Sequence, residues 1–91
     1  MKRTLQIIVR GRVQGVGYRW FARELANQLG VTGYVRNLVN GDVEVMAQGD
    51  SDLLEYFMQK LKEGPTFSRV DEIKVTEVDD APVYQSFDIT F

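Results

Sequence analysis

This sequence predicts an α+β sandwich, one mainly antiparallel sheet with two helices on one of its faces. Three observations lead there. Apolar residues alternate in several short stretches, which is the period of a strand with one buried face. Two other stretches carry apolar residues at helical spacing. The two periods follow one another in the order β-α-β-β-α-β, with a short alternating tail.

The first strand runs from Thr4 to Arg10. Leu5, Ile7 and Val9 share one face, and Gln6, Ile8 and Arg10 share the other. An apolar Ile8 on the second face predicts a central strand. Gly11 to Gly17 contains three glycines and reads as a loop. From Tyr18 the period changes. Tyr18, Phe21, Leu25 and Leu29 recur at helical spacing with Ala22 and Ala26 beside them, and Gly30 supplies a left-handed stop. Thr32–Leu38 and Asp42–Gln48 flank Asn40-Gly41, a pair that suits a tight type I′ hairpin turn. Val43, Val45 and Ala47 alternate there with Glu44, Met46 and Gln48.

Asp50 is placed to cap a second helix, with Leu54, Phe57, Met58 and Leu61 as its apolar stripe and Gly64-Pro65 as its end. Arg69–Val78 is rich in Val, Ile and Thr. Its parity shifts between Val70 and Ile73, which predicts a bulge. Asp79–Pro82 breaks that strand, and Phe87, Ile89 and Phe91 alternate in a short terminal one. Phe21, Phe57, Phe87 and Phe91 are read as core. Two split βαβ units in this order make a ferredoxin-like βαββαβ sandwich, here with an added C-terminal strand.

Composition narrows the function. The 91 residues fit one domain, residues 1–91. There is no cysteine, so disulfides and thiolate nucleophiles are excluded. There is no histidine, the commonest neutral-pH base and transition-metal ligand. Thr4–Val9 is too short and too alternating for a signal peptide, and no run reaches membrane-span length. A cytoplasmic protein with no membrane partner is expected. The net charge of −2 hides an asymmetry: residues 1–40 carry seven basic residues and one acid, residues 41–91 four and twelve. A basic half in an acidic chain fits either a local anion site or mutual neutralisation in the fold.

Two segments could carry chemistry. In Gly11-Arg12-Val13-Gln14-Gly15-Val16-Gly17-Tyr18-Arg19 a strand passes through glycines into a helix. Successive backbone N–H groups in such a loop can converge on an anion, helped by the helix N-terminus. Arg19, in the first helical turn, could donate two parallel hydrogen bonds to phosphate oxygens. A glycine-rich turn followed by a surface arginine is the plainer alternative. Asn37, at a strand end, can donate and accept at once, which suits a group that orients water. It could equally be tied into the turn. Trp20 could edge such a site or pack on the sheet. Asp79-Asp80, with Asp71 and Glu72, reads as a solvated loop rather than a metal site, because no ligand spacing supports one.

The run GRVQGVGYR resembles the first acylphosphatase signature, and GYVRNLVNGDVEV resembles the second, at the expected separation. The likeness extends over essentially the whole chain. Gly17 is typical of microbial members, and Tyr18 stands where phenylalanine is more usual. The resemblance implies hydrolysis of the carboxyl-phosphate bond of acyl phosphates without cofactor or metal. By the same resemblance, Arg19 binds the phosphate, Asn37 positions the attacking water, and the backbone of Gln14, Gly15, Val16, Gly17 and Tyr18 forms the phosphate cradle. It implies a monomer whose partner is a small acyl phosphate.

Two rivals share the element order. RNA-recognition domains stack bases on aromatics of their central strands. Gln6, Ile8 and Arg10 with Glu44, Met46 and Gln48 offer no such platform, so no nucleic acid is expected. A non-catalytic phosphate-binding or regulatory module, like those embedded in larger maturation enzymes, is the second.

Overall fold

The computed structural model describes residues 1–91. Leu5, Ile7 and Val9 are buried along β1 (Lys2–Arg12), whose other face is only partly covered. The chain continues through α1 (Tyr18–Leu29), β2 (Thr32–Asn37), β3 (Val43–Asp50), α2 (Ser51–Glu63), β4 (Arg69–Glu77) and β5 (Phe87–Thr90). The sheet order is β4-β1-β3-β2-β5. β1 pairs antiparallel with β3 and β4, β2 pairs antiparallel with β3, and β5 joins the far edge parallel to β2. This is the βαββαβ sandwich the alternation predicts, with β1 central as Ile8 requires. No helix is long and apolar enough to cross a membrane.

Both helices bury their apolar stripes against one sheet face. Tyr18, Ala22 and Ala26 of α1 and Leu54, Phe57 and Leu61 of α2 meet Ile7, Val9, Val35, Val43 and Val45 in one core. Each large apolar side chain buried there contributes about 1.5–3 kcal/mol. Gly30 ends α1 in the left-handed region, and the Val31 N–H closes onto the Ala26 carbonyl. The predicted bulge is present. Opposite the Arg10–Gly11 step the register jumps from Glu72 to Val70, leaving Asp71 as the extra residue.

Three expectations are corrected. The β2–β3 connection is not a two-residue type I′ turn on Asn40-Gly41. Only Gly41 there has positive φ, at 97°. The Leu38 N–H donates to the Asp42 carbonyl and the Gly41 N–H to the Leu38 carbonyl, so the loop is Val39-Asn40-Gly41. The Asn40 side-chain oxygen accepts from the Asp42 N–H and holds that longer loop closed. Asp50 occupies the N-cap position but makes no side-chain cap bond, because its carboxylate lies toward the N-terminal amine instead. Phe91 is not core. It lies beyond the end of β5 and is 97% exposed.

The helix-free face has its own polar interior. Glu44 is only 5% exposed and accepts from the Gln6 amide at 2.7 Å and the Arg36 guanidinium at 2.6 Å. Burial, the largest single influence, pushes the Glu44 carboxyl up. The hydrogen bonds from Gln6 and Arg36 and the Arg36 charge outweigh it, so the net shift is downward. Gln48 donates to Thr4 and to the Pro82 carbonyl and accepts from the Tyr84 N–H, which pins the β4–β5 connection.

Candidate active site

β1, β2 and β5 run in the same direction, so their C-terminal ends share one edge of the sheet. The loop after β1 starts α1 at that edge. The topology thereby brings together the two signature segments that α1 separates in sequence. A cavity of about 300 Å³ opens there, lined by Gly15, Gly17, Arg19 and Asn37 on its polar side. Val13, Tyr18, Trp20, Ile89 and Phe91 form its apolar walls.

The loop has the backbone geometry expected of an anion cradle. Gly15 and Gly17 both sit in the left-handed region, with φ of 73° and 80°. A side chain is disfavoured at such angles, and an added Cβ would meet no atom within 4 Å at either position. The requirement is therefore conformational rather than steric. Gly17 is the N-cap of α1 and offers no capping side chain. None of the backbone N–H groups from Gln14 through Trp20 finds an acceptor in the protein. A run of unpartnered N–H groups at a helix N-terminus favours negative charge.

Arg19 is the second residue of α1, and no acidic residue stands in that first turn. It takes part in none of the protein's ion pairs. Its guanidinium carbon lies 5.0 Å from the centre of the Phe91 ring, the distance of a cation–π contact. Asn37 ends β2 across the cavity, and its side-chain oxygen is buried without any hydrogen-bond donor. Buried acceptors are rarely left unpaired, because the desolvation cost is about 1–3 kcal/mol. The alternative that Asn37 is tied into the turn by its side-chain oxygen is thereby excluded. That role belongs to Asn40.

The remaining members of the predicted set divide by side chain and backbone. Gln14, Gly15, Val16, Gly17 and Tyr18 all lie on the loop or its junction with α1. The Tyr18 side chain turns inward, its hydroxyl donating to the Leu61 carbonyl at 2.6 Å, and burial pushes its phenol pKa up. Trp20, left open by the sequence, edges the cavity and is 59% exposed. Sequence reasoning missed Phe91, Ile89 and Val13 as cavity walls. The alternation of Phe87, Ile89 and Phe91 predicted a strand, but nothing in it says that this strand ends beside Arg19. No three His, Cys, Asp or Glu side chains converge anywhere in the chain.

The acylphosphatase family model matches residues 5–89. An acylphosphatase of Thermus thermophilus is 51% identical over 71 residues, covering 78% of this chain and 81% of that protein. The crystal structure of acylphosphatase from Bacillus subtilis is similar with a TM-score of 0.95 at 38% identity, covering both chains completely. Full-length HypF in its phosphate- and nucleotide-bound form contains a similar region, with a TM-score of 0.89 at 31% identity. It covers all of this chain but 12% of HypF. The chain belongs to the acylphosphatase family of enzymes.

Proposed function

We propose that this protein hydrolyses acyl phosphates to carboxylate and inorganic phosphate by direct attack of water on phosphorus. The observation that carries this reading is the buried, donorless oxygen of Asn37, facing the same cavity as an unpaired Arg19 and a run of free amides. A cradle with a fixed cation and a lone acceptor across from it fits an anion and a water together.

In this reading the N–H groups of Gln14, Gly15, Val16, Gly17 and Tyr18 and the Arg19 guanidinium hold the phosphoryl oxygens. In the transition state negative charge is spread over these equatorial oxygens, and donors already aimed at them stabilise it. Asn37 accepts a hydrogen bond from water and fixes it in line with the scissile bond. The gain is mainly positional. Water's oxygen forms the new bond to phosphorus while the P–O bond to the acyl group breaks, and its electron pair leaves with the carboxylate. The leaving group is weakly basic and needs no general acid. A phosphate oxygen of the substrate takes water's proton, since no carboxylate side chain lines the cavity and the chain has no histidine or cysteine. The apolar walls, Trp20 and Phe91 among them, receive the acyl portion.

The scheme needs no group from a second copy, and we take the enzyme to act as a monomer. The test is turnover of benzoyl phosphate in water enriched in oxygen-18, with a chelator present. One label in phosphate and none in benzoate is expected. Label in benzoate would place the attack on the acyl carbon. Phosphate binding without turnover would favour the non-catalytic module.

A further inference from the structure

We infer that the side chain of Gln14 is a positioning residue that sets Asn37 against the phosphate loop; this rests on the proposed function above. Gln14 leaves the loop that follows β1, and its side-chain nitrogen donates to two carbonyls of the β2–β3 connection. The Leu38 oxygen and the Asp42 oxygen both lie at 2.8 Å. These carbonyls are the two ends of the hairpin loop, already joined by the Leu38 N–H to the Asp42 carbonyl. One amide group therefore uses both its protons to bolt the hairpin mouth to the loop.

The bolt lies one residue from Asn37. The Asn37 side-chain oxygen accepts no hydrogen bond within the protein, so none fixes it directly. Its place relative to the loop depends on the backbone of β2, and Gln14 makes the only side-chain hydrogen bonds from the Gly11–Gly17 loop to the β2–β3 connection. The two signature segments are linked mechanically as well as chemically. A displacement of about 1 Å in a positioned group can cost about 10²-fold in rate. Losing the bolt would move the water relative to phosphorus while leaving the loop amides and Arg19 able to hold an anion.

Gln14→Met keeps the length of the side chain and removes both donors. It should lower kcat about 10-fold or more, with inhibition by inorganic phosphate changed less than about 3-fold. The decisive readout is a double-mutant cycle on benzoyl phosphate. If Gln14 acts through Asn37, Gln14→Met should cost less than about 2-fold further in an Asn37→Ala background. Equal losses in both backgrounds would overturn the inference, as would phosphate affinity falling in step with kcat. Failure of the underlying reading looks different: Asn37→Ala alone would then be as active as the unaltered protein. Because the bolt also braces the hairpin, one measurement uses the unaltered chain. The Gln14 side-chain amide protons should exchange with solvent more slowly than those of exposed Asn27 and Gln28. Equal rates would overturn the bolt itself.

Discussion

Arg19 should be nearly dispensable for folding and indispensable for binding, and Arg19→Ala separates the two. In the absence of an anion, two effects of the substitution oppose each other. The guanidinium stands in the first turn of α1 with no acidic neighbour there, where a cation opposes the helix dipole by about 0.3–1 kcal/mol. Its contact with the Phe91 ring is worth about 0.5–1 kcal/mol at an exposed site. It has no ion pair to lose. The net change in stability should therefore lie within about 0.5 kcal/mol of zero, a size typical of surface substitutions. Phosphate changes the balance. At a hundredfold excess over its dissociation constant it should stabilise the unaltered protein by about 2.7 kcal/mol, or about 10–20 °C in Tm for a domain of this size. Arg19→Ala should lose most of that increment and most of its turnover. Thermal melts by circular dichroism with and without phosphate, paired with benzoyl phosphate assays, decide it. A loss of more than about 2 kcal/mol without phosphate would make Arg19 structural. An undiminished phosphate increment in the variant would remove it from the cradle.

Three further outcomes follow from the same geometry. Arg19→Lys keeps the charge but loses the planar fork, so both substrate affinity and kcat should fall; near-unaltered kinetics would remove bidentate recognition from the scheme. Gly33 has φ of 138°, and a Cβ there would overlap the Met46 carbonyl across the ladder, so Gly33→Ala should prevent folding or lower Tm steeply, which a melt would show. The Glu44 carboxyl is held below its ordinary value of 4.5, so its contribution to stability is present above that value and is lost as pH falls further. Glu44→Gln should cost stability at neutral pH and flatten the acid limb of a urea-denaturation series taken below pH 4.5, whereas an unchanged acid limb would show that Glu44 does not carry it.

Much of this molecule was legible in its sequence, because alternation and helical spacing report directly which side chains face a core. Ile8 identified β1 as central, the parity shift between Val70 and Ile73 announced the bulge that the register puts at Asp71, and Gly30 marked the end of α1. Arg19, Asn37 and the glycines of the loop, which the two signatures carry, line one cavity. What escaped depends on how elements meet. Asn-Gly is compatible with more than one hairpin loop, and the Asn40 bond to the Asp42 N–H selects the longer one. Phe91 alternates with core residues, yet the strand ends before it and leaves its ring over Arg19. Glu44 and Gln48 look like solvent-facing positions of a half-buried strand. They are buried because Arg36 folds over one and the β4–β5 connection crosses the other. The Gln14 side chain was invisible for a similar reason, since its partners are backbone carbonyls that no sequence pattern marks.

In the proposed reaction Asn37 places the water, and Arg19 with the loop amides holds the phosphate. The most direct test is Asn37→Ala, followed for kcat on benzoyl phosphate and for inhibition by inorganic phosphate. The Asn37 oxygen has no partner to lose within the protein, so the fold should survive, as circular dichroism will report. Asn37→Ala should lose kcat on the order of 10²-fold with phosphate inhibition nearly unchanged. A folded Asn37→Ala protein that hydrolyses acyl phosphates at the unaltered rate would contradict it.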